Sequence, residues 1–88
     1  MKVSFTKDFD KQLIQIGDGK LAIAINAVID NVEKAKSPWE IPSLKKLKGH
    51  KSAYRIRSGN YRIGVFIENN EVIFAAIGNR KDIYKKFP

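Results

Sequence analysis

Arg55, Arg57, Arg62 and Arg80 are the side chains of this sequence best suited to chemistry on a charged substrate. Successive side chains of an extended strand point to opposite faces. In Ala53–Arg57, Arg55 and Arg57 therefore share one face, and Tyr54 and Ile56 the other. In Tyr61–Ile67, Arg62, Gly64 and Phe66 oppose Tyr61, Ile63, Val65 and Ile67. Ser58-Gly59-Asn60 between them reads as a hairpin turn. A two-residue turn at Ser58-Gly59 pairs Arg55 with Arg62. One at Gly59-Asn60 pairs Arg57 with Arg62 and Arg55 with Gly64. Either register gathers three arginines on one face. Like charges set opposite one another cost stability, so their concentration points to an anionic ligand. The planar guanidinium fork matches phosphate oxygens. A solvated arginine face with no ligand is the plainer alternative.

The remaining polar residues narrow the reaction classes. There is one histidine, His50, and no cysteine, so no ordinary metal-ligand cluster can be assembled. The glycines form neither a phosphate loop nor a dinucleotide fingerprint. No local signature supports a Ser-His-Asp triad. Metal-free chemistry on a phosphate ester is what remains, with Arg and Lys stabilising the phosphorane and a Tyr, Lys or His handling protons. RNA suits such a site. Its own 2′-hydroxyl can attack the adjacent phosphate, and the protein then mainly orients and neutralises.

The elements that must position these residues can be read in order. Lys2–Phe5 alternates as a short strand. Thr6 is placed to cap a helix through Ile16, with Asp8 and Asp10 in its first turn. Gly17-Asp18-Gly19 ends that helix and starts a second, over Lys20–Lys36, whose stripe is Leu21, Ile25, Val28, Ile29 and Val32. Ser37–Pro42 is loop, with Trp39 expected to close the edge of the core and a nucleobase platform as its alternative. Leu44–Gly49 is a short basic segment. Strands follow over Ala53–Arg57, Tyr61–Ile67 and Val72–Ile77, with Glu68–Glu71 as the second turn and Gly78-Asn79 ending the sheet. Arg80–Phe87 holds one or two helical turns. The class is α+β: an N-terminal strand and helical hairpin packed on an antiparallel β-meander, with a short C-terminal helix. Tyr54, Tyr61 and most of the phenylalanines are expected in the core, and His50 in an exposed loop.

At 88 residues the chain is expected to form a single domain over 1–88. The net charge of +8 arises entirely in residues 45–88, which hold eleven of the seventeen Lys and Arg and three of the nine acidic residues. A basic half on a small domain points to a polyanion. No signal peptide and no membrane-length apolar run are read, which suits a cytoplasmic protein without a membrane partner.

Three stretches resemble the RelE/ParE toxin superfamily: Leu44-Lys45-Lys46-Leu47-Lys48-Gly49, then Tyr54-Arg55-Ile56-Arg57-Ser58-Gly59-Asn60-Tyr61-Arg62-Ile63, then Ile77-Gly78-Asn79-Arg80-Lys81-Asp82-Ile83-Tyr84. The hairpin, followed about twenty residues later by Arg and then Tyr, is the specific part. The order, the spacing and the helical hairpin before them extend the likeness to nearly the whole chain.

The resemblance implies a RelE-like fold and the toxin of a type II toxin–antitoxin system. It implies a ribosome-dependent, metal-independent mRNA endonuclease that cuts in the A site, leaving a 2′,3′-cyclic phosphate and a 5′-hydroxyl, without a cofactor. Carried onto this sequence, Arg62 would stabilise the reacting phosphate, Arg80 would do the same or assist the leaving oxygen, and Tyr84 would stack on the nucleotide. Arg55 and Arg57 stand where one branch carries basic residues near the 2′-hydroxyl. Lys45, Lys46, Lys48, Lys51 and Lys81 would bind RNA and the ribosome. The implied partners are mRNA, the ribosome and an acidic antitoxin that masks the basic face. Two departures matter. Arginine is a poor general base, and Asp82 is the only acid close to Tyr84. The alternatives are a ParE-like gyrase poison and a catalytically silent binding module.

Overall fold

Thr6 begins the first helix for a local reason: its Oγ1 accepts the Phe9 N–H at 3.1 Å. The computed structural model describes all 88 residues. After β1 (Lys2–Phe5), helix α1 runs Lys7–Ile16 and ends at Gly17, whose φ of +62° is the left-handed conformation glycine adopts at low cost. Helix α2 spans Gly19–Lys34, with the Asp18 side chain accepting the Lys20 N–H at 2.9 Å. It ends two residues before the expected Lys36, because Ala35 is already extended. Four further strands follow, β2 (Leu44–Lys46), β3 (Ala53–Ser58), β4 (Tyr61–Glu68) and β5 (Glu71–Asn79), and then helix α3 (Ile83–Lys86).

The five strands form one sheet in the order β1-β5-β4-β3-β2. The meander is antiparallel, as alternation and turns predict. Two features go beyond the sequence reading. β1 does not merely pack on the sheet; it joins as an edge strand parallel to β5. The basic segment after the loop is itself a strand, β2, which forms the opposite edge. Both hairpins use two-residue turns. Gly59 has φ +58°, and Asn69 and Asn70 have φ +50° and +63°, the conformations tight hairpins require.

Helices α1 and α2 cover one face of the sheet. Phe9, Leu21, Ile25 and Val32 pack there against inward residues that include Ile56, Ile63 and Phe74. Tyr54 and Tyr61 are partly buried at the margin of this core. The opposite face carries a smaller cluster of Ala53, Ala76, Ile83 and Phe87, with Phe66 beside it.

A bulge links the two clusters. Gly64 pairs with Ala76, but Val65 pairs with Phe74, so Ala75 is the extra residue of β5. The slip moves Ala76 to the face of Arg62 while keeping Ile77 in the main core. Thr6 Oγ1 also donates to the Ala75 carbonyl at 3.2 Å, and the Ile77 N–H donates to Gln12 Oε1 at 2.8 Å. Helix α1 thereby braces the bulge.

Candidate nucleic-acid interface

The hairpin takes the register of the Gly59-Asn60 turn: Arg57 faces Arg62, and Arg55 faces Gly64. On its other side Arg62 faces Gly78. Lys45 lies opposite Arg55 and so extends the arginine face to the sheet edge. Ser43, Leu44, Lys45, Arg55 and Arg57 line one shallow depression there.

Arg62 is held by its own hairpin. One terminal nitrogen donates to the carbonyls of Gly59 and Tyr61, each at 3.1 Å. Its guanidinium is held below the ordinary arginine range, first by partial loss of hydration and then by the charges of Arg55, Arg57 and Arg80. Tyr84 acts in the opposite direction. Those four neighbours are the other residues expected to act on the phosphate and its nucleotide. Arg62 stays charged at any physiological pH, so the mutual repulsion persists until an anion relieves it.

Arg80 and Tyr84 come from the segment after β5. The Arg80 N–H donates to the Asn60 carbonyl at 3.1 Å, tying this segment to the β3–β4 turn. Asn79 Oδ1 accepts the Lys81 N–H at 3.0 Å and the Asp82 N–H at 2.9 Å. This Asx-type turn fixes the direction in which Arg80 leaves the sheet. Asp82 precedes α3 but makes no side-chain cap. Tyr84 is 57% exposed, so its ring is free to meet a base, whereas Ile83 on the same helix and Phe87 just after it are buried.

The expected lysines divide. Lys45 joins the arginines. Lys46 lies opposite Tyr54 and points toward the helical side of the sheet. Lys46, Lys48 and Lys51 line a second depression, with the exposed His50, along the β2–β3 connection. Lys81 sits beside Arg80 in a third, with Asn60 and Asn79.

Sequence reasoning missed three contributors. Asn79 orients Arg80. Lys86 reaches back over Gly78, where an added Cβ would stand 2.8 Å from its Cε and 2.9 Å from its Nζ, which places a further cation over the residue that faces Arg62. Gly64 makes room for the Phe87 ring. The available signal was a glycine inside each strand, which marks close approach by another group.

Four clustered guanidiniums with no carboxylate among them make an anion trap. We expect inorganic phosphate, compared with chloride at matched ionic strength, to raise the melting temperature by several degrees once it is well above its Kd. The shift should disappear in Arg62→Ala. Equal melting temperatures in the two salts would mean that the arginines do not converge on an oxyanion.

No family model matches the chain. Toxin RelE3 of Methanocaldococcus jannaschii is 38% identical over 89 residues, covering 100% of both proteins. The crystal structure of a RelB–RelE antitoxin–toxin complex from Methanococcus jannaschii superposes with a TM-score of 0.80 at 35% identity, over 97% of this chain and 99% of that one. The YoeB dimer of Staphylococcus aureus gives a TM-score of 0.66 at 20% identity, over 86% of this chain and 92% of its own, a likeness of fold alone.

Proposed function

The chain belongs to the RelE family of toxins, and from that premise we propose that it cleaves messenger RNA on the ribosome and is restrained by an antitoxin of the RelB kind. The observation that carries the chemistry is the arginine face itself: Arg57 opposite Arg62, Arg55 opposite the neighbouring Gly64, and the Arg80 backbone tied to Asn60 of the same hairpin turn.

In the proposed reaction the 2′-oxygen of one nucleotide loses its proton and attacks the adjacent phosphorus. The bond to the 5′-oxygen breaks, and that oxygen takes up a proton. The products are a 2′,3′-cyclic phosphate and a 5′-hydroxyl. Arg62, fixed by two carbonyls, and Arg80, fixed through Asn79, neutralise the charge that builds on the non-bridging oxygens. Tyr84 stacks on the neighbouring base and sets the attack in line. Arg55 and Arg57 hold the 2′-hydroxyl side of the substrate. No arginine can serve as the base. The rate enhancement in this scheme comes from charge stabilisation and alignment, and the proton leaves to a group outside the arginine face. The ribosome would supply the geometry that holds the mRNA extended. The lysines of β2 and the β2–β3 connection would grip ribosomal RNA.

The same cationic face suits an acidic antitoxin segment. Such a complex would associate by electrostatic steering and weaken as salt rises.

Purified protein in a reconstituted translation reaction on a defined mRNA tests the proposal. We expect new 5′ ends inside A-site codons that require the ribosome and are lost in Arg62→Ala. No cuts from the folded protein would overturn it. Inhibition of gyrase supercoiling in that case would assign ParE-like action, and inhibition of neither would assign a silent binding module.

A further inference from the structure

Trp39 does not close the core edge. It is 85% exposed, unusual for a residue that is mostly covered in folded proteins. The exposure is built. Pro38 opens a 3-10 turn over Pro38–Glu40, and the Ile41 N–H closes it on the Pro38 carbonyl at 3.0 Å. Ile41 is buried and anchors the turn. The Glu40 carboxylate is occupied by the turn itself, accepting the Lys36 N–H at 3.3 Å and the Ser37 hydroxyl at 3.2 Å.

The indole borders a depression completed by Pro38, Leu44, Lys46 and Tyr54. Its only charged lining residue is Lys46. Leu44 is shared with the depression on the arginine side. Strand β2 is thus the rim between two sites, with Lys45 turned to the arginines and Lys46 to the tryptophan.

We propose that Trp39 is a second RNA contact, a stacking platform for an unpaired base of a strand whose phosphates cross the β2 edge over Lys45 and Lys46. A flat aromatic face beside a cation, on a positively charged path, is the combination that holds single-stranded nucleic acid. An acidic protein segment would also satisfy the lysines and could seat an apolar side chain on the indole; the continuity of this depression with the basic rim of β2 and the arginine-side depression favours a nucleic-acid strand. The contact does not depend on cleavage.

Trp39 is the sole tryptophan, so its emission reports this site alone. The probe is a short oligoadenylate fully methylated at the 2′-oxygens, which cannot undergo internal attack. We expect saturable quenching of Trp39 emission, retained in Arg62→Ala. Trp39→Ala should bind about tenfold more weakly by anisotropy, and Trp39→Tyr should recover most of the loss. The melting temperature of both variants should match the parent, because the indole is outside the core. Tripolyphosphate at equal charge should not quench. Binding of the oligonucleotide without quenching, or equal affinity in Trp39→Ala, would overturn the proposal. So would equal quenching by tripolyphosphate, since no base would be involved. A response of Trp39 to polyglutamate but not to the oligonucleotide would also overturn it and assign a protein partner instead.

Discussion

Arg62→Ala is expected to lower ribosome-dependent cleavage by about 100- to 1,000-fold while leaving the melting temperature unchanged or higher. The two effects have one cause. Arg62 is surrounded by Arg55, Arg57 and Arg80, and its guanidinium is held below its ordinary range by lost hydration and by their charges. The sign follows from linkage. A base whose folded value is lowered binds protons more weakly in the folded state, so its positive charge opposes folding at every pH below that range. Removing the charge removes the opposition. Of the carbonyls that Arg62 engages, that of Gly59 lies at an exposed turn and that of Tyr61 at the half-buried start of β4, where water replaces the donor once the side chain is gone. The substrate phosphate has no such replacement. A residue retained for the fold would show the reverse pattern, with activity falling only as far as stability does. Quantitative 5′-end mapping, paired with thermal melts in low salt, separates the two. A melting temperature that falls along with the activity would show Arg62 to be structural.

The arginine face was legible because strand alternation is a short-range property. Arg55, Arg57 and Arg62 could be placed together from their own segments, in either register. The choice between registers came down to one glycine: Gly59 takes φ +58° and leads the turn. Features that depend on distant partners were not legible. β2 is three residues long and shows no alternation of its own; it is a strand because β3 offers an edge. β1 finds its partner in β5, sixty-nine positions away at Lys2 and Glu71. The Ala75 bulge exists because Thr6 and Gln12 of the first helical region hold the backbone of β5 there. The exposure of Trp39 depends on how Glu40 folds back, a contact that side-chain hydrophobicity does not encode. Lys46 left the arginine face for the same reason Lys45 joined it: adjacent residues of a strand point apart.

Gly64→Val is expected to disable the site from beside the arginines, on their own face of the sheet. The Phe87 ring lies on the Gly64 backbone, where an added Cβ would stand 2.8 Å from Cδ1 and closer to Cγ and Cδ2. The ring is otherwise enclosed, with Phe66 at a centroid distance of 5.0 Å and Ala53, Ala76 and Ile83 around it. It has no room to shift as a unit. The variant must expel Phe87 or bend β4, at about 1–3 kcal/mol. Expulsion is the easier route, because α3 has four residues and no stability of its own. Tyr84 and Lys86 ride on that helix, so both leave the face of Arg62 when it lifts. A displacement of about 1 Å at a reacting group can cost on the order of 100-fold, and we expect a loss of that size with the main core intact. Phe87→Ala should give the same phenotype by removing the anchor. The double variant is decisive. Once the ring is gone, valine at 64 has nothing to displace, so the two losses should combine to little more than the larger alone. Additive losses in cleavage would mean that Gly64 and Phe87 act on the site through separate routes. Full activity in Gly64→Val would mean that the position of Tyr84 does not matter.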